Sequence, residues 1–102
     1  MVKYNKLVRD KIPEIIKEKG KVSQTHIAND KEYWEKLKEK LTEETNEFFK
    51  ENNEEELADI LEVIEAICKF KRYNKKKIEE IKKEKTNKRG GFDKKIILDE
   101  VN

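Results

Sequence analysis

The stretch LTEETNEFFKENNEEELADILEVIEAI, residues 41–67, joins two amphipathic segments through the polar break ENN at residues 51–53. Apolar residues in both segments recur at spacings of three and four, which is the pattern of helices with one buried face. Asn53 stands where its side chain can cap the second helix. Because the break is short, the two helices are expected to fold back on each other as an antiparallel hairpin.

The first helix of the hairpin is predicted to begin at a cap formed by Asn29 or Asp30 and to end at about Lys50. Its apolar stripe consists of Trp34, Leu37, Leu41 and Phe48. The second helix is predicted over about residues 54–72, and its apolar residues cover an arc of about 180°. They are Leu57, Ile60, Leu61, Val63, Ile64, Ile67, Cys68 and Phe70. An arc this wide favours a central position and contact with a second subunit.

Outside the hairpin, residues 11–20 predict a helix of about two turns that ends at a glycine. Residues 21–28 predict an extended segment or loop, and residues 74–85 predict a mostly solvated helix. The apolar run at residues 96–98 is either a strand or a docking tail at the end of an extended C-terminal segment. The sequence therefore predicts one all-α domain over residues 1–102, a bundle of about four helices that assembles as a homo-oligomer.

The composition of the chain limits the classes of function that the protein could have. The chain has 102 residues, of which 34% are hydrophobic and 47% charged, with 25 Lys and Arg against 23 Asp and Glu. The basic residues flank an acidic middle, so a uniformly basic partner of polymeric nucleic acid is not indicated. No apolar run reaches the roughly 20 residues that a membrane span needs. With Cys68 as the only cysteine and no signal peptide at the start, a cytoplasmic protein without a membrane partner is expected.

Two pairs of acids at i,i+3 spacing lie on or beside the apolar faces of the hairpin: Glu44 with Glu47, and Glu56 with Asp59. Antiparallel pairing of the helices would bring the two pairs together. Four facing carboxylates repel one another and raise their own pKa values unless a cation lies between them. Oxygen ligands without His or Cys select Mg²⁺, Mn²⁺ or Ca²⁺ over zinc. The spacing is therefore consistent with a site for a hard divalent cation.

A purely structural interpretation of the same residues stays open. Acid clusters in helices rich in Lys and Glu are usually solvated faces, and Glu56 follows Asn53 at the spacing of a capping box. The single histidine, His26, has no nucleophile in an interpretable arrangement and is expected in a loop. Trp34 and Phe48 are expected in the core rather than as base-stacking surfaces.

The acidic residues nevertheless occur in a recognisable order. EETNE at residues 43–47, followed by ELAD at residues 56–59, resembles the EExxE…ExxD signature of the all-α NTP pyrophosphatases. This MazG-like superfamily also includes phosphoribosyl-ATP pyrophosphohydrolase and the dimeric dUTPases. YNKLVRDKIPEII at residues 4–16 and RGGFDKKIIL at residues 89–98 are similar to its phosphoribosyl-ATP pyrophosphohydrolase-like branch, so the resemblance spans almost the whole chain.

The resemblance implies a dimer or higher homo-oligomer that hydrolyses a nucleoside triphosphate to the monophosphate and pyrophosphate with Mg²⁺, or with Mn²⁺. House-cleaning of non-canonical nucleotides is one role such an enzyme could serve. By position in the motif, Glu44, Glu47, Glu56 and Asp59 would be metal ligands. Glu43 would be a further ligand or would orient the attacking water, and Glu43 and Glu44 are the candidate catalytic residues.

Basic residues at both ends of the chain are the candidates for binding the phosphate chain: Lys6, Arg9, Lys11, Lys88 and Arg89. Gly90 would let the backbone approach the ligand closely. Residues 89–92 are expected to order over a bound nucleotide. The sequence names neither the base nor the sugar. The competing interpretation is a non-catalytic helical interaction module whose acidic middle binds a basic partner.

Overall fold

In the computed structural model, residues 2–102 are described, and they form four α-helices and no strand. The helices are α1 (Ile12–Glu18), α2 (Asp30–Glu51), α3 (Glu54–Lys71) and α4 (Lys75–Arg89). The predicted all-α class and the number of helices are therefore confirmed. Among these helices, none combines the length and the apolar composition that crossing a membrane would require.

Asparagine side chains and backbone set the ends of the central helices. The side-chain oxygen of Asn29 accepts a hydrogen bond from the backbone N–H of Glu32 at 2.9 Å, which caps α2. Asn52 ends α2 in the left-handed region, at φ 54°, a conformation that asparagine tolerates better than most residues. Asn53 then caps α3 by accepting from the N–H of Glu56 at 2.9 Å. The reversal between the two helices thus needs only two residues.

The helices α2 and α3 pack against each other as an antiparallel hairpin. At the end far from the reversal, the ring of Phe70 meets Tyr33 edge-on at 5.2 Å and stacks with Trp34 at 6.1 Å between centroids. Leu37 is fully buried and Val63 is 8% exposed, and these are the buried hydrophobic residues of the described chain. The core is therefore small and lies along the seam of the hairpin.

The apolar arc of α3 is wider than α2 can cover. Val63 faces the seam, whereas Leu57, Leu61 and Ile64 remain 44%, 60% and 42% exposed. These three residues follow one another at spacings of four and three, and Cys68 continues the row one turn later, half-buried. We call these four residues the α3 stripe. It is a continuous apolar face on the surface of the single chain.

The chain divides into two compact units between Lys71 and Arg72. In the first unit, an irregular segment precedes α1, and the Lys36 ammonium of α2 donates to the carbonyl of Asn5 in this segment at 2.7 Å. Gly20 follows α1 with φ 76°, the left-handed conformation that glycine adopts at low cost. Residues 21–29 form neither helix nor strand, which agrees with the expected loop.

The second unit consists of α4 and the C-terminal residues. Asn74 caps α4 by accepting from the N–H of Lys77 at 3.1 Å. The helix continues to Arg89, four residues beyond the predicted end, because residues 86–89 contain no helix breaker although they also lack an apolar stripe. Residues 96–98 form neither a helix nor a strand.

Candidate metal and phosphate site

The hairpin brings together three of the four predicted metal ligands. Glu44 lies two turns before the end of α2, and Glu56 and Asp59 lie in the first two turns of α3. Because the helices are antiparallel, these positions fall at the same level beside the reversal. One carboxylate oxygen from each residue lies within 4.8 Å of the others, and all three side chains are half-buried. We call this group the acid cluster.

The electrostatics of the acid cluster are those of crowded negative charges. Desolvation raises the pKa of Glu56, and the charges of Asp59, Glu47, Glu44 and Glu51 raise it further, in that order. Glu47, the fourth predicted ligand, is half-buried and close enough for its charge to act on Glu56. A divalent cation would relieve this repulsion.

Two cations from the N-terminal segment reach the acids across long stretches of sequence. The Lys6 ammonium donates to Glu43 at 2.8 Å, and the Arg9 guanidinium donates to Oδ1 of Asp59 at 2.7 Å. The hydrogen bond between Lys6 and Glu43 is the main cause that raises the pKa of the ammonium and lowers the pKa of the carboxyl. Glu43 is therefore held in its ionised form.

Lys40 is a member of the site that the sequence analysis missed. Its ammonium lies 3.4 Å from Oε1 of Glu44 and 3.6 Å from Oε2 of Glu43, and its side chain is only 16% exposed. The signal that could have revealed it is the spacing of three and four residues that separates Lys40 from the two acids. Such pairs are common on helices, so the spacing alone is weak evidence of function.

The remaining phosphate-binding candidates lie outside these contacts. Lys11 immediately precedes α1 and is exposed. Lys88, Arg89 and Gly90 belong to the second unit, where Lys88 pairs with Glu84 at 3.7 Å and Gly90 follows α4 with φ 81°. Their predicted contact with phosphate stays a prediction.

The residues set aside as structural have structural contacts. His26 lies in the loop before α2, as expected, with Nε2 at 2.9 Å from Glu32. Trp34 is half-buried against Phe70, and the Lys71 ammonium lies 4.0 Å from its ring centroid. The aromatic residues at this end of the hairpin therefore support its packing.

The donor set of the acid cluster fits a hard divalent cation. All the candidate ligand atoms are carboxylate oxygens, and Mg²⁺ and Mn²⁺ prefer oxygen ligands. Mg²⁺ usually binds through a few carboxylates while keeping waters or substrate phosphate oxygens as its other ligands. Three half-buried acids with a fourth nearby offer oxygen ligands of this kind.

Comparisons of the chain with family models, with curated proteins and with solved structures find no match. The resemblance to the pyrophosphatase signature thus rests on the motif residues themselves.

Proposed function

We propose that this protein is a MazG-like, Mg²⁺-dependent nucleoside triphosphate pyrophosphohydrolase. The observation that carries the proposal is the convergence of Glu44, Glu56 and Asp59 within 4.8 Å at positions of the EExxE…ExxD motif. Glu44 on α2 lies 12 and 15 residues before Glu56 and Asp59 on α3. Mg²⁺ can bind through such carboxylates together with substrate phosphate oxygens. The cytoplasm is the proposed compartment, because a sequence with one cysteine has no intramolecular disulfide to maintain.

In the proposed reaction, the acids of the site would bind the metal and orient the attacking water. Glu44, Glu47, Glu56 and Asp59 would hold Mg²⁺ or Mn²⁺. The bound ion supplies a positive charge that offsets the phosphoryl oxygens and lowers the pKa of water. Glu43, kept ionised by its contact with Lys6, would accept a hydrogen bond from the attacking water and so orient it toward the α-phosphorus.

Half-buried Lys40 adds a positive charge beside two of these acids. Of the two acids that it pairs with, Glu44 belongs to the acid cluster. A cation in this place also lowers the local negative potential that would otherwise repel a triphosphate. We therefore add Lys40 to the residues that position the site.

The proposed activity predicts the products. With Mg²⁺, a panel of canonical, deoxy and damaged nucleoside triphosphates should include at least one that yields the monophosphate and pyrophosphate. Chelation with EDTA should stop the reaction. Chromatography of the nucleotide products distinguishes pyrophosphate release from γ-phosphate release. A diphosphate formed with orthophosphate would contradict the proposal.

Metal binding can be measured without a substrate. A cation that binds only the folded protein stabilises it by RT ln(1 + [L]/Kd), about 2.7 kcal/mol at a hundredfold excess over Kd. Thermal unfolding at increasing Mn²⁺ concentration should show this stabilisation. A midpoint that does not respond to Mn²⁺ or Mg²⁺ would instead favour the interaction module with an acidic face.

We further propose that the chain assembles as a dimer or tetramer through the α3 stripe. Exposed Leu57, Leu61 and Ile64 form an apolar row that a second subunit would cover. Light scattering at tens of micromolar should give at least twice the mass of the 12.3 kDa chain. Leu61→Glu should shift the protein toward the monomer. Ile27→Glu, at a loop position 95% exposed, is the control and should leave the mass unchanged.

A wild-type mass equal to that of one chain would rule out the proposed assembly. A shift of both variants toward the monomer would show that added negative charge, not loss of the stripe, weakens the association.

A further inference from the structure

The N-terminal segment places a cation on a carboxylate that the proposed function assigns to the metal. Arg9 donates to Asp59 at 2.7 Å, and Asp59 is also a member of the acid cluster. Lys6 makes the equivalent contact with Glu43, 2.8 Å away. Lys6 and Arg9 thus bring positive charge to these acids from a segment outside the hairpin.

A guanidinium and a divalent cation compete when they share one carboxylate. Each is stabilised by the negative charge of Asp59, and each repels the other at short range. The Arg9 side chain is 58% exposed, so turning it away from Asp59 requires little loss of packing. An exposed ion pair contributes only about 0–1 kcal/mol, and a divalent cation at the acid cluster can displace it.

The backbone that carries Arg9 is anchored close to the site. Lys36 of α2 donates to the carbonyl of Asn5 at 2.7 Å, and Leu7 is half-buried. The hydrogen bond from Lys36 involves neither the acid cluster nor Arg9 itself. An Arg9 side chain that leaves Asp59 therefore remains within the reach of one side chain from the acids.

We propose that Arg9 exchanges partners during the catalytic cycle: it pairs with Asp59 in the metal-free protein and is transferred to the triphosphate when the metal takes Asp59. This inference rests on the proposed function and concerns how the metal and the triphosphate bind to the same site. The planar fork of the guanidinium matches two phosphate oxygens as well as it matches a carboxylate. The exchange keeps Arg9 paired in both states and presents it to substrate only after the metal has bound.

The exchange predicts opposite effects of one substitution on two ligands. Arg9→Gln removes the competitor of the metal, so Mn²⁺ alone should bind about two- to fivefold more tightly. The same variant loses a charged hydrogen bond to phosphate, so inorganic triphosphate with saturating Mg²⁺ should bind at least about tenfold more weakly. Isothermal titration calorimetry measures both affinities. Lys3→Gln removes the same charge from the same segment and should change neither by more than about twofold.

The outcomes separate the exchange from other roles of Arg9. Weaker binding of both ligands would identify a purely structural residue, and weaker triphosphate binding with unchanged Mn²⁺ affinity would identify a simple phosphate ligand. Both results overturn the exchange while leaving the proposed function intact. A wild-type protein that binds no Mn²⁺ would overturn both. Arg9→Lys provides a second variant, which keeps the charge and should restore Mn²⁺ affinity toward the wild-type value.

Discussion

Replacing Glu56 by Gln is expected to lower Mg²⁺-dependent pyrophosphate release by at least about a hundredfold, since a metal ligand supports several kcal/mol of transition-state stabilisation. The metal-free protein should be as stable as the wild type or more stable. Desolvation and, after it, the charges of the neighbouring carboxylates raise the pKa of Glu56, so neutralising this side chain removes both unfavourable effects. Product chromatography and thermal unfolding in EDTA test the two halves of this expectation.

Glu62→Gln is the matched control, because Glu62 is exposed on the same helix and is not a member of the acid cluster. It should leave activity and stability near the wild-type values. Gln at position 56 also preserves the backbone N–H that Asn53 caps, so the cap is not a confounding loss. Full pyrophosphohydrolase activity in Glu56→Gln would remove Glu56 from the ligand set and with it most of the enzymatic proposal.

Leu37→Ala is expected to lower the free energy of unfolding by about 2–5 kcal/mol. Leu37 is the one fully buried large side chain among the described residues, and in a core this small few neighbours can move to fill the cavity. A domain of this size is commonly stable by only about 5–15 kcal/mol. Urea unfolding followed by circular dichroism measures the change.

Ile27→Ala makes a comparable change in side-chain volume at a position 95% exposed. It should alter the free energy of unfolding by less than about 0.5 kcal/mol. Equal losses in the two variants would show that the seam of the hairpin is not the source of stability.

The hairpin was predictable because its determinants are local. Apolar spacing defined α2 and α3, and Asn29 and Asn53 marked their first turns with side chains that do cap them in the structure. The end of α4 was not predictable in the same way. Residues 86–89 carry no apolar stripe, and the helix continues to Arg89, after which Gly90 has a positive φ of 81°.

The positions of the acids were likewise predictable from local sequence, whereas the basic residues that pair with them were not. Helical geometry placed Glu56 and Asp59 on one side of α3, and the reversal brought them to Glu44. The pairing of Arg9 with Asp59 depends on the path of an irregular segment. No periodic pattern in the sequence predicts that path. Lys40 was missed for a different reason, since lysines at helical spacing from glutamates are too common to single out one that is half-buried.

The two-residue reversal at Asn52 and Asn53 also establishes an order among the interactions of the site. Glu44 and Asp59 are joined by a short stretch of chain, whereas 50 residues separate Arg9 from Asp59. Closing the longer loop costs about 1 kcal/mol more conformational entropy than closing the shorter one. The hairpin therefore brings the carboxylates together at a lower entropic cost than the chain pays to bring the arginine to them.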